Sequence, residues 1–192
     1  VKSLSRETVV DAARAQIVER GLAEFSLRQV GAALGVTAPA LYAYVTDKTD
    51  LLRAVATFEL GQLLGRFELV VETDPVARVR RQSRIYVDYA VENPELFKAI
   101  FLFPPALEVA APTGDELPTA TLAFNYATDS IGQAIDNGAF RADLDPLLAT
   151  FTSWTMTHGL ATVLLLGFAF DEPTREVLID TVLDAMIRSL SP

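Results

Sequence analysis

Two groups of residues in this chain have the types and spacing to do chemistry. The first runs from Ser26 to Lys48 and includes Arg28, Thr37, Tyr42 and Tyr44. Hydroxyls, a guanidinium and an ammonium suit hydrogen bonding and charge pairing with phosphate rather than bond cleavage. The second is Trp154-x-x-x-His158-Gly159, where Trp154 and His158 stand four residues apart on one helix face. His158 is the only histidine, and cysteine is absent. A Ser-His-Asp arrangement would run through His158, yet no Gly-x-Ser-x-Gly elbow is present. A zinc site would need three carboxylates beside that histidine, and no glycine loop cradles a phosphate. No catalytic residue, metal ligand or cofactor is therefore expected. His158 is read as a hydrogen-bonded structural group near a helix interface. The other reading is a polar contact in a ligand cavity.

The first group needs two short helices and a tight turn to position it. Ser26 can cap the first, because its hydroxyl can accept from an amide of the first turn. Leu27, Val30, Ala33 and Leu34 form one apolar stripe, and Gly35 is expected to end the helix. Thr37 is expected to cap the second helix, with Pro39 in its first turn. Leu41 then points inward while Tyr42 and Tyr44 reach outward. This is the pattern of a helix-turn-helix, whose second helix enters the DNA major groove. Ser26, Thr37 and Lys48 sit at helix starts and read as phosphate contacts. Arg28 suits a guanine edge, and Ala38, Pro39 and Ala40 suit thymine methyl groups. A first helix over 5–20, capped by Ser5 with Thr8 and ended by Gly21, would brace the pair. Lys2 and Arg6 at its free end are expected at phosphate.

The stretch Leu27-x-x-Val30-x-x-x-Leu34-Gly35-Val36-Thr37-x-x-x-Leu41-Tyr42-x-Tyr44-Val45-x-x-Lys48-x-x-Leu51-Leu52 resembles the DNA-binding domain of tetracycline-repressor-type (TetR) regulators. The resemblance extends upstream through Ala12-Ala13 and Glu19-Arg20-Gly21. Two departures stand out. Tyr44-Val45 replaces the His-Phe of many members, and no Lys or Arg lies between Thr37 and Val45. Further on, Trp154-x-x-x-His158-Gly159 is similar to the Trp-x-x-x-His-Gly signature of one class of TetR C-terminal domains, and Asn93-Pro94-Glu95-Leu96-Phe97 fits the same class.

Composition bounds the rest. At 192 residues, half of them hydrophobic, the chain can bury a real core and is not disordered. The net charge of −9 is unevenly divided. Residues 1–53 hold seven Lys/Arg against six Asp/Glu, and residues 54–192 hold nine against nineteen. A near-neutral module is thus attached to an acidic body, which keeps the wrong face away from phosphate. The absence of cysteine fits a reducing cytosol, and no signal peptide is visible. A cytoplasmic location is expected.

The body reads as a series of capped helices. One runs from about 48 to 71, and Gly61 and Gly65 within it mark either close helix packing or a compliant link. Asp74-Pro75 opens the next, where Arg78, Arg80, Arg81 and Arg84 cluster as a salt-bridged face or, alternatively, as a wall for an acidic ligand. Asn93-Pro94 opens a short helix stopped by Pro104-Pro105. Residues 104–117, with Pro104, Pro105, Pro112 and Gly114, are expected to form a loop that could gate a cavity. Helices then start at Pro118, Pro146 and Asp171. The segment 159–170 is almost wholly apolar, yet too short for a bilayer, which takes about 20 residues.

The fold expected is all-α, with about nine helices. A three-helix DNA-binding module spans residues 1–47, and a helical ligand-binding and dimerisation body spans 48–192. The TetR resemblance implies a transcriptional regulator, a repressor, that binds a palindromic double-stranded DNA operator as a homodimer. A small hydrophobic effector would release it, and no membrane takes part. Phe101, Phe124, Trp154 and His158 are the expected ligand wall. Leu160, Val163, Leu164, Leu183 and Ile187 are the expected dimer interface. A second function fits the same composition: an all-α small-molecule carrier with a vestigial helix-turn-helix. The intact Ser26–Lys48 constellation, which a carrier does not need, separates the two.

Overall fold

The computed structural model describes residues 3–102 and 118–192. The expected loop at 104–117 and Lys2 lie outside the described residues. Among those described, nine α-helices and no strand are found. They are α1 (Arg6–Arg20), α2 (Leu27–Ala33), α3 (Ala38–Leu41), α4 (Lys48–Glu68), α5 (Pro75–Glu92), α6 (Pro94–Phe97), α7 (Pro118–Asp136), α8 (Pro146–Leu165) and α9 (Glu172–Leu190). A 3₁₀ turn at Leu22–Glu24 comes after α1, and α6 continues into a π turn at Lys98–Leu102.

Local chemistry explains most starts. Ser5 and Thr8 exchange side-chain and backbone bonds in a capping box at α1. Ser26, Asp47, Asp74, Asp145 and Asp171 each accept an amide from the first turn of the next helix. Two expected caps differ. The Thr37 and Asn93 side chains cap nothing. At Asn93 the backbone carbonyl accepts from Phe97 N at 2.8 Å instead. Gly21 and Gly35 have φ of +76° and +72°, the left-handed region that other residues enter at a cost.

The described chain forms two compact units. One comprises Val1–Leu60 and Asn93–Pro118, the other Gly61–Glu92 and Thr119–Pro192. In the first, Val9, Ala13, Ile17, Val30, Leu41 and Leu51 are fully buried, the shared core of α1 to α4. Arg14 of α1 reaches the carboxylate of Glu59, which is only 3% exposed, and its guanidinium lies 4.1 Å from the Phe58 ring centroid. In the second, Val87, Ile131, Phe140, Ala149, Leu160, Ile179, Leu183 and Met186 make one core from α5, α7, α8 and α9.

That core corrects part of the interface expectation. Leu183 is fully buried and Leu160 5% exposed within the chain itself, so neither has surface left for a partner. Leu164 and Ile187 pack half-buried against the same core. Of the five residues, Val163 is the one exposed, at 37%. Three of the four arginines of α5 also find partners. Arg80 pairs with Asp180 and Asp184, and Arg84 with Asp88 and Glu176, clamping α5 to α9. Arg78 donates to the Glu72 carbonyl and to Gln133 Oε1. The carboxylates hold Arg80 and Arg84 above the ordinary guanidinium range. These groups are engaged with the protein and do not form a wall for an acidic ligand. Close packing also fails to explain Gly65, where an added Cβ would meet nothing within 4 Å.

Candidate functional site

The helix-turn-helix is built around one close approach. A Cβ on Gly31 of α2 would lie 2.9 Å from the Val36 carbonyl oxygen and 3.2 Å from the Ala38 amide nitrogen. Only glycine lets α2 sit this near the start of α3. Val36 N donates to the Gly31 carbonyl at 2.9 Å across the same contact. The sequence carried the signal, a lone glycine inside a helical stripe, but not its meaning.

On this frame the expected DNA-facing residues take definite positions. Ser26 is half-buried and its Oγ accepts from Gln29 N at 3.4 Å. Arg28 is exposed on the first turn of α2. Thr37, Pro39, Ala40 and Tyr42 are exposed, while Ala38 and Tyr44 are half-buried. Lys48 is exposed, with Nζ 5.4 Å from the Phe25 ring centroid. Leu41 and Val45 anchor the segment inward.

Arg6 does not fit the phosphate role expected of it. Its Nη1 donates to the Tyr44 carbonyl at 2.6 Å and to Asp50 Oδ2 at 3.1 Å, and its Nη2 to Asp50 Oδ1 at 2.6 Å. Asp50 also accepts from Thr46 N at 2.8 Å. This bidentate pair fastens α1 to the first turn of α4, and the Tyr44 carbonyl bond ties in the turn before it. The guanidinium holds the Asp50 carboxyl below its ordinary value of 3.8.

In the second unit a chain of rings runs along α7 and α8. Phe124 lies 4.8 Å from Phe151, Phe151 6.4 Å from Trp154, and Trp154 5.5 Å from His158, centroid to centroid. Phe101 belongs to the first unit and packs 4.8 Å from Phe97. The partner of the Trp154/His158 pair is Tyr86 of α5, which sequence reasoning missed because it lies 72 residues from His158. Trp154 Nε1 donates to Tyr86 Oη at 3.1 Å. Tyr86 Oη lies 2.9 Å from His158 Nδ1. The indole only donates, so the phenol oxygen accepts from it, and the direction of the Tyr86–His158 bond follows the imidazole tautomer. Burial pushes the Tyr86 hydroxyl far above the usual phenol range and His158 below 6.5, both toward the uncharged form. The cluster ties α8 to α5.

Comparison with known proteins agrees with both halves. The family model described as bacterial regulatory proteins, tetR family, matches residues 9–55. That described as tetracyclin repressor-like, C-terminal domain, matches residues 79–190. No curated protein matches the chain. Among solved structures, a protein of unknown function from Rhodococcus sp. RHA1 is 21% identical with a TM-score of 0.83, over 99% of this chain and 97% of that one. RolR, solved in complex with resorcinol, is 18% identical at 0.71, over 96% and 86%. AibR, solved with isovaleryl coenzyme A and operator DNA, is 19% identical at 0.64, over 97% and 98%. With one model on the helix-turn-helix and the other on more than half of the chain, this protein belongs to the TetR family of transcriptional regulators.

Proposed function

We propose that the chain is a ligand-responsive repressor that binds a palindromic operator as a homodimer and leaves it when a small hydrophobic effector binds. The observation that carries this reading is the exposed set Arg28, Thr37, Pro39, Ala40, Tyr42 and Lys48 on a helix-turn-helix of a TetR-family chain. The DNA surface lies within residues 1–47, and residues 48–192 carry effector binding and dimerisation. Lys48, at the boundary, and the hydroxyls of Ser26 and Thr37 meet phosphate, Arg28 meets a base edge, and Tyr42 and Tyr44 flank the contact. Catalysis is not part of this function, and it is exercised in the cytoplasm.

The effector meets Phe124, Phe151 and Trp154 as an apolar wall, with His158 as its hydrogen-bonding group. RolR with resorcinol and AibR with isovaleryl coenzyme A support ligand control in this fold. The excess of carboxylates over residues 54–192 favours a neutral or cationic molecule. The effector acts only through different affinity for the two DNA-binding states, with a typical coupling of about 1–3 kcal/mol. The Trp-x-x-x-His-Gly motif takes its place here: it ties α8 to α5 through Tyr86 beside the ligand wall.

Dimerisation uses the outer face of α8. Leu147, Leu148, Val163 and Leu166 are 37–67% exposed and repeat on one side of the helix, opposite buried Ala149, Ser153, Leu160 and Ala161. A helix apolar on both sides is covered on both sides.

The test is capture of genomic fragments by the purified protein, sequencing, and operator titration with and without a ligand found by thermal shift. Recovery of palindromic sites whose affinity falls with ligand is the expected result. Ligand binding without retention of any DNA would return the carrier function.

A further inference from the structure

Asp47, exposed in the turn before α4, points its carboxylate at Asp50 N; between Thr37 and Thr46 the residues presented to solvent are Thr37, Pro39, Ala40, Tyr42, Ala43 and Thr46. None is charged, and none carries the amide or guanidinium that reads adenine or guanine bidentately. Their outward chemistry is methyl, methylene and ring carbon, with hydroxyls at Thr37, Tyr42 and Thr46. Apolar side chains in the major groove have one distinctive target, the C5-methyl group of thymine.

The cations of the same unit narrow the reading further. Among the described cations, Arg6 is held by Asp50 and the Tyr44 carbonyl, Arg14 by Glu59, Arg20 pairs with Glu19, Lys98 pairs with Glu95, and Arg53 is half-buried with a contact of its own. Arg28 and Lys48 stay exposed with no carboxylate against them among the described residues. The module therefore brings little charge to the phosphates and an apolar face to the bases.

We infer that, within the DNA-binding reading above on which this rests, the operator is selected through thymine methyl groups packed on Pro39, Ala40, Tyr42 and Ala43, with about two phosphate-pairing cations per subunit. Methyl burial supplies the discrimination that charge and bidentate bonds supply elsewhere. Each half-site therefore carries thymines at the positions facing α3. A dimer releasing about four counterions has a salt slope, log K against log salt, of about −3 to −4.

The test uses the full-length protein and the duplex recovered by genomic capture. Thymines of each half-site are replaced in turn by deoxyuridine, which keeps base pairing and the O4 acceptor and loses the methyl. A methyl buried on these side chains should appear as about a three- to fivefold loss of affinity per position. Cytosine replaced by 5-methylcytosine away from those positions should change nothing. Intact operator binding with no uracil-sensitive position would overturn the methyl readout and leave the DNA-binding function standing. A salt slope steeper than about −6 would overturn the charge-poor contact. Failure to retain any DNA would overturn the function itself, and the readout with it.

Discussion

Exchanging Gly31 for alanine tests the geometry of the helix-turn-helix most directly. The added Cβ meets three backbone atoms at once: Val36 O at 2.9 Å, Ala38 N at 3.2 Å and Thr37 C at 3.3 Å. Backbone cannot rotate aside as a side-chain tip would, so α3 must shift by a few tenths of an ångström. Overpacking of this kind costs about 1–3 kcal/mol. Against it stands the gain of about 1 kcal/mol from replacing glycine within a helix. Gly65→Ala in α4 supplies the control, since it makes the same gain with nothing within 4 Å. The propensity term is common to both, so the difference between the two variants, about 1–3 kcal/mol, isolates the steric term. Urea unfolding followed by circular dichroism measures it, with Gly65→Ala more stable than the parent and Gly31→Ala less. Operator affinity should fall about tenfold or more in Gly31→Ala, the value of one lost base contact, and hold in Gly65→Ala. Equal stabilisation by the two exchanges would refute the close-approach argument.

Other named contacts carry outcomes of their own. Arg14→Ala removes the guanidinium from the buried Glu59 carboxylate and should destabilise the protein by about 3 kcal/mol in the same urea assay. Tyr86→Phe removes the acceptor of Trp154 Nε1; a loss of about 1–2 kcal/mol is expected, with a shift in the emission of Trp154, the chain's one tryptophan. His158 is held below 6.5 in the fold by burial, so below that pH the unfolded chain binds more protons than the native one. Stability should fall as pH drops from about 6.5 through the folded value, and His158→Gln should remove that part of the dependence. Leu148→Arg or Leu166→Arg places a charge on the exposed face of α8 and should yield a monomer by sedimentation with its helix content intact. Persistence of a dimer in both would move the interface elsewhere.

The legible part of the sequence was local. Caps at Ser5, Ser26 and Asp74 were readable because a short side chain and the amide it satisfies lie three residues apart. Gly35 was readable because one backbone conformation selects it. The hidden part depends on partners distant in sequence. Tyr86 and His158 meet across two helices, and Arg6 reaches Asp50 across forty-four positions. The expected interface residues show a different limit. Periodicity reports that Leu160 and Leu183 are buried but does not say by which neighbours. The chain's own core covers both. The helix predicted to reach residue 71 ends at Glu68, and Leu69 and Val71 are exposed; the apolar run continued, but no core met it.

The charge of the first 53 residues also needs its structure before it means anything. Seven basic side chains suggest an electrostatic anchor, yet Arg6 and Arg14 are committed to bracing α1 against α4. Asp50, held below its ordinary 3.8, keeps its charge and its grip on Arg6 until pH falls through its folded value. The module thus exchanges phosphate affinity for rigidity. Charge contacts alone hold any sequence equally, and a module with few of them binds nonspecific DNA weakly. Discrimination must then come from the fit of α3, which the Gly31 contact and the Arg6–Asp50 brace hold in place. Two such modules joined in the proposed dimer would double the contacts without adding a charge to either. If the proposed dimeric repressor holds, its dimer interface should be as necessary to operator binding as the recognition helix itself.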